Sequence, residues 1–162
     1  MIKEIVVAID PGLEGGIAAL QGMTILAALD IPTTGEGPKR RVDVNLISRF
    51  LAKVQPQRAF IERAQAMPKQ GASSGFNYGR AVGALEAAIL CANVPLTIIE
   101  ARTWKHAIGL HKSEKEESRQ KAIQLFPKYS NLFERKKDHG RAEAALIAYY
   151  ATQVLNNPAS PA

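Results

Sequence analysis

Four carboxylates in this 162-residue chain stand in unusual company. Asp10 ends the apolar run Ile5-Val6-Val7-Ala8-Ile9 and is followed at once by Pro11-Gly12, and Glu62 closes Phe60-Ile61 in the same way. Asp138 and Glu143 flank the start of an apolar helical pattern near the C-terminus. A carboxylate at the end of a buried strand is costly unless something neutralises it. Several converging carboxylates repel one another as well, and a divalent cation with oxygen ligands relieves both penalties. Each residue also has a plainer role. Asp10 can cap the turn at Pro11, and Glu62 can pair with Arg58 or Arg63. Asp138 can be the N-cap of the last helix, and Glu143 can sit in its first turns, favoured by the helix dipole. Singly these roles suffice; jointly, in this order on these elements, they do not.

The elements that must position the four groups can be read from periodicity. Ile5 to Asp10 is a continuous β-branched run, as expected of a buried central strand. Residues 15–20 and 24–29 read as two further strands joined by the short Gln21-Gly22-Met23 link, so the chain opens with three antiparallel strands. Residues 32–41, with prolines, glycines and consecutive basic groups, read as a mobile surface loop. Leu46, Ile47, Phe50, Leu51 and Val54 repeat with helical spacing. Arg58 to Glu62 is then a short strand that a helical crossover would pair parallel to the first. A loop through Pro68, Gly71 and Ser74 leads to a long helix over 75–92 that buries Val82, Leu85, Ile89 and Phe76. Its Gly79, Gly83 and Ala87 form a small-residue stripe permitting close approach of another backbone, within the fold or across a dimer, the former being the plainer reading. Residues 95–100 supply a fifth strand. Ser113-Glu114-Lys115-Glu116 is a capping box opening a helix that Pro127 stops, and a last helix covers 140–154. Trp104 can stack on a base, though a buried anchor is the plainer reading, and residues 112–120 read as a solvated helix face of mixed charge. One domain over residues 1–155 is expected, followed by a polar, proline-containing tail with no reason to be ordered.

The net charge of +6 favours a polyanionic partner such as nucleic acid without requiring one. The single cysteine, Cys91, excludes an internal disulfide and a cysteine-based zinc site, which fits a reducing cytoplasm. No stretch reaches the roughly 18 apolar residues of a membrane span, and the N-terminus does not read as a signal peptide.

Val7-Ala8-Ile9-Asp10-Pro11-Gly12, then Phe60-Ile61-Glu62, then the run from Lys137-Asp138-His139-Gly140 to Glu143-Ala144-Ala145-Leu146 resemble the three acidic motifs of RuvC-type Holliday-junction resolvases. Gly71 to Phe76 and the Gly79…Gly83 helix resemble the region after that family's glutamate. The resemblance spans residues 4–152. It implies an α/β RNase H-like fold: a mixed five-stranded sheet, three antiparallel N-terminal strands, and helices on both faces. It further implies a structure-selective endonuclease resolving four-way DNA junctions by paired symmetrical nicks. Asp10, Glu62, Asp138 and Glu143 would hold Mg²⁺, with Mn²⁺ able to stand in. Two ions about 3.5–4 Å apart would assist hydrolysis to 5′-phosphate and 3′-hydroxyl ends. The partners implied are branched DNA and a second copy of the chain, a two-fold dimer matching the near two-fold junction.

Two departures stand out. Glu143 occupies a position where aspartate is commoner, moving its carboxylate out by one methylene. Gln65 stands where some members carry a base-stacking aromatic. His139, four residues before Glu143 and so on the same helix face, can orient water or a phosphate or simply face solvent. Arg63, Lys69, Arg80, Arg102, Lys105 and Lys112 can neutralise phosphates, while Ser73, Ser74 and Asn77 can donate hydrogen bonds to them. Rival readings are a nuclease for other branched DNA or RNA–DNA hybrids, and a junction-binding protein whose catalysis Glu143 has impaired. An actin-like ATPase is opposed by the chain's length.

Overall fold

The N-terminal run forms β1 (Ile5–Asp10) in the computed structural model, which describes residues 3–110 and 115–156. The hairpin that follows consists of β2 (Gly16–Gln21) and β3 (Thr24–Asp30). Two residues each from β4 (Thr33–Thr34) and β5 (Arg41–Val42) pair antiparallel in a small separate sheet, with a 3₁₀ turn at Gly37–Lys39 between them. The stretch expected to be a mobile loop is therefore a short hairpin; two-residue strands are below the length at which alternation can be read. Next come α1 (Val44–Val54), β6 (Arg58–Glu62), α2 (Ala72–Cys91) and β7 (Leu96–Ile99). The C-terminal third holds α3 (Ala101–Ala107), α4 (Lys115–Leu125), 3₁₀ turns at Pro127–Leu132 and Lys136–Asp138, and α5 (His139–Asn156).

The main sheet has the order β3-β2-β1-β6-β7. β1 pairs antiparallel with β2 and parallel with β6, and β6 is parallel to β7. This is the mixed five-stranded sheet with three antiparallel N-terminal strands that the sequence led us to expect. Because side chains alternate across a strand, the sheet buries two distinct layers. Val7, Ile9, Ile17 and Ile61 face α1 and α2 through Ile47, Leu51, Leu85 and Ile89. Val6, Ala8, Leu20 and Phe60 face the other layer, which holds Trp104 of α3, Ala122 of α4 and the Ala144-to-Ala148 run of α5. None of the described helices is long and apolar enough to cross a membrane.

Several helical expectations need correcting. α2 starts at Ala72, so Ser73 and Ser74 lie in its first turn rather than in a preceding loop. Phe76 was expected in the core but is 69% exposed: α2 buries Ala81, Val82, Leu85, Ala88 and Ile89, and Phe76 falls off that face. A Cβ added at Gly79 or Gly83 would meet nothing within 4 Å, so the small-residue stripe has no intramolecular partner among the described residues. The Trp104 segment forms a short helix, α3, in which Trp104 is fully buried. The charged helix α4 is not simply a solvated face. Its Ser118 is fully buried, and Arg119 reaches inward to the Phe133 and Glu134 carbonyls, each at 2.6 Å. Lys112 and the Ser113-Glu114 start of the expected capping box lie outside the described residues. α5 extends through Asn156, the first residue of the expected tail, and residues 157–162 also lie outside the description.

Candidate active site

Parallel pairing aligns the ends of β1 and β6. The register runs through Ala8 opposite Phe60 and Ile9 opposite Ile61. One step further along, Asp10 and Glu62 leave their strands at the same C-terminal edge. They share the face of Ala8 and Phe60, which is the α5 face. Ligand sites of open α/β sheets form at this edge of the parallel strands.

The third carboxylate arrives from across the layer. Asp10 is registered with Gly16 of β2, and Gly16 touches Gly140 in the first turn of α5. A Cβ on Gly16 would lie 2.3 Å from the Gly140 carbonyl carbon, and one on Gly140 would lie 2.5 Å from that of Gly15. Only glycine permits this approach. It brings the start of α5 down onto the sheet, and Glu143, one turn on, reaches the carboxylate edge.

The electrostatics follow from this convergence. Burial, then the charges of Glu143 and Glu62, raise the Asp10 carboxyl well above the ordinary aspartate value. Burial also raises Glu62, reinforced by Glu143 and opposed by a hydrogen bond from the Trp104 indole, whose Nε1 lies 2.7 Å from Oε2. Glu143 is nearly buried; its Oε1 accepts from Ser118 Oγ at 3.1 Å and Lys105 Nζ at 3.3 Å. Lys105 and Lys115 supply the nearby positive charge that partly offsets Asp10. Asp10 itself accepts no side-chain hydrogen bond among the described residues, and one oxygen of each glutamate is likewise unbonded.

These groups border two hollows that share Tyr78 as a lining residue. One, of about 540 Å³, is lined by Asp10, Tyr78, Lys105, Lys115, His139 and Glu143 among others. A second, of about 750 Å³, lies on the Glu62 side, with Arg63, Gln65, Tyr78, Glu100 and Arg102 in its wall. Tyr78 borders both. Burial, then the Asp10 and Glu62 charges, push its phenol above the usual value, so it stays a neutral donor.

The structure thus brings together Asp10, Glu62 and Glu143, with Lys105 and His139 beside them. Asp138 sits apart from them in this structure. It is fully buried at the end of a 3₁₀ turn, directly before α5, and it does not line the Asp10 hollow. Its carboxylate accepts from the Arg135 backbone at 2.9 Å and from the Arg135 guanidinium at 2.8 Å, with Arg141 at 3.9 Å. Burial works against its charge, but the Arg135 bonds and the Arg141 charge prevail and hold it below the ordinary value. His139 rests its Nδ1 3.3 Å from the Lys136 carbonyl. Arg63 is ion-paired with Glu100, to which Gln65 also turns. Lys69 is exposed in the β6–α2 connection. Ser73, Ser74 and Asn77 line a further hollow with Tyr78. Sequence reasoning missed Tyr78, Ser118 and Lys115, and did not link Trp104 to Glu62. Only the hydroxyl of Ser118 amid the charges of α4 carried a signal. Among the described residues no three His, Cys, Asp or Glu side chains are drawn into a ready-made metal cluster, and Trp104, Ser118 and Lys105 bond to the two glutamates.

The chain has the RNase H-like fold in its RuvC-type arrangement. It is similar in structure to Thermus thermophilus RuvC in complex with a Holliday-junction substrate, with a TM-score of 0.71 and 20% identity over 98% of this chain and 99% of the other. A second Thermus thermophilus RuvC structure aligns with a TM-score of 0.57 and 18% identity over 92% of this chain and 96% of the other. No protein-family model and no curated protein matches the sequence.

Proposed function

We propose that this chain is a nuclease that resolves four-way DNA junctions, hydrolysing phosphodiesters at the carboxylate edge of the sheet. The observation that carries the reading is the meeting of Asp10, Glu62 and Glu143 on one face, in a fold that matches RuvC over nearly its whole length. The donor set fits Mg²⁺ or Mn²⁺: each of the three keeps a carboxylate oxygen without a hydrogen bond, and their mutual repulsion needs a cation. Asp10, Glu62 and Glu143 would hold the metal, two ions in the resolvase reading, which when bound neutralises phosphate charge and acidifies water.

The chain's own residues prepare that chemistry. Trp104 fixes Glu62, and Ser118 and Lys105 fix Glu143. Water attacks phosphorus, the bond to the 3′ oxygen breaks, and that oxygen takes up a proton. The ends are then a 5′-phosphate and a 3′-hydroxyl. His139 stands on the same wall as Glu143, where it orients the water or a phosphate oxygen. Ser73, Ser74 and Asn77 donate to the strand's phosphates, and Arg102 and Lys105 offset their charge.

Paired nicks require two sites, and a second copy of the chain is the proposed partner. Support comes from the exposed stripe of Phe76, Gly79, Gly83 and Leu90 along α2, which nothing within the described residues covers. Gly83→Trp should turn the dimer into a monomer in light scattering. The deciding test of function is cleavage of a labelled four-way junction in Mg²⁺ beside a linear duplex, a flap and an RNA–DNA hybrid, with Asp10→Asn as control. Symmetrical nicks on the junction alone, absent in the control, are expected. Preferential cutting of the flap or hybrid, or junction binding with no cutting, would overturn the resolvase reading.

A further inference from the structure

Between the β4–β5 hairpin, the start of α1 and the middle of α2 lies a hollow of about 450 Å³, away from the carboxylates. Its wall carries three arginines. Arg40 is engaged inside the fold: it pairs with Glu14 and donates to the Leu13 carbonyl and the Thr33 hydroxyl, each at 3.1 Å. These bonds tie the hairpin to the loop that follows β1. Arg41 from β5 and Arg80 from α2 are different. Both are exposed, and neither side chain has a hydrogen bond or ion pair with another described residue. Asp43 is the one carboxylate in the wall among the described residues, and it is committed to capping α1 through the Leu46 N–H at 3.1 Å. Two uncompensated cations therefore face one hollow from separate elements, with the amides of Asn45 and Asn77 beside them.

The hollow leads somewhere. Asn77 and Leu13 also line the hollow of about 620 Å³ that holds Ser73, Ser74 and Tyr78. Leu13 and Tyr78 in turn line the hollow that holds Asp10 and Glu143. On the opposite flank Arg63 pairs with Glu100, and Arg102 lines the Glu62-side hollow. The Arg41–Arg80 pair thus lies at the far end of a series of hollows that share lining residues.

We propose that Arg41 and Arg80 form a two-jawed phosphate clamp that grips the nucleic-acid backbone at a distance from the cleaved bond. The β4–β5 hairpin, held by Arg40, is one jaw, and α2 is the other. The clamp rests on the reading that the carboxylate edge acts on nucleic acid. It positions the strand without reading its sequence, because its partners are phosphates.

Counterion release makes the test quantitative, since each phosphate neutralised steepens the fall of affinity with salt. Binding of a labelled four-way junction and a linear duplex would be measured in EDTA across a salt series, for the parent chain, Arg41→Ala/Arg80→Ala, and the charge-matched control Lys53→Ala/Lys128→Ala. Circular dichroism would verify the fold of each. Loss of two contacts should reduce the log–log salt slope by about 2 on both DNAs, so that between about 50 and 200 mM salt the parent loses roughly tenfold more affinity than the arginine variant. Equal slopes for the arginine variant and the lysine control would overturn the clamp and leave the nuclease reading intact. A parent chain that binds neither DNA with any salt dependence would overturn both.

Discussion

Trp104 donates its indole N–H to Glu62 across 2.7 Å, from a ring buried completely against the sheet. The bond does two things: it fixes one oxygen of Glu62, and it opposes the rise that burial imposes on that carboxyl. Trp104→Phe keeps most of the packing and removes the donor. The acid limb of the pH–rate profile should then move to higher pH and the Mg²⁺ requirement should rise. The fold should lose on the order of 1–3 kcal/mol, read by urea unfolding. An unmoved acid limb would reduce Trp104 to a packing residue.

The raised carboxyls of Asp10 and Glu62 set a sign for stability in the absence of divalent cations. A carboxyl whose folded value exceeds its unfolded one binds its proton more tightly in the native state. The stability it contributes is present below about pH 4 and is lost as pH rises through the raised folded value. The metal-free protein should therefore gain stability at neutral pH from Asp10→Asn, while losing cleavage. Added Mg²⁺ should raise the melting temperature of the parent and not of the variant. Destabilisation of the metal-free protein by Asp10→Asn would contradict the electrostatic picture.

Asp138 should respond in the opposite way. Its carboxyl is held below the ordinary value, so its contribution is present above that value and lost as pH falls through the depressed one. Asp138→Ala leaves the Arg135 backbone N–H without its partner, which costs about 1–3 kcal/mol. Cleavage at a temperature where the variant is folded should change little. A selective loss of Mg²⁺ dependence with unaltered stability would return Asp138 to the metal site.

Asp10 and Glu62 were legible in the sequence because a carboxylate closing a β-branched run is a local pattern, and two parallel strand ends meet at one edge. The sheet was legible for the same reason. The arginine partners of Asp138 were not anticipated, because helix-start acids look alike whether they bind metal or arginine. Here Arg135 and Arg141, each three residues away, carried the signal. Trp104 and Ser118 were not legible as partners: their carboxylates lie 42 and 25 residues off in sequence, and only packing joins them. Phe76 misled because helical periodicity defines a stripe without saying which side the core lies on.

The Gly16–Gly140 contact should tolerate no side chain. Gly140→Ala places a methyl 2.5 Å from backbone, so α5 must lift or β2 must shift. Overpacking of this kind costs about 1–3 kcal/mol. The lift also withdraws Glu143 from Asp10, so activity should fall further than stability does. Gly79→Ala, with open space around its Cβ, is the matched control and should be close to neutral in folding.

Glu143 tests whether the longer side chain weakens the site or belongs to it. From α5 its carboxylate spans to Ser118 on α4 and Lys105 on α3, so three helices are tied at one oxygen. The fully buried Ser118 hydroxyl has no other hydrogen-bond acceptor among the described residues. Glu143→Asp withdraws the carboxylate by one methylene, breaks the 3.1 Å bond and strands a buried hydroxyl. The aspartate variant should therefore cut more slowly than the parent and require more Mg²⁺. Ser118→Ala should share the defect, because partners that orient a metal-binding carboxylate typically cost about 10–100-fold in affinity or activity when removed. If Glu143→Asp instead cuts faster with an unchanged Mg²⁺ requirement, glutamate is a handicap at this position and the Ser118 contact is incidental.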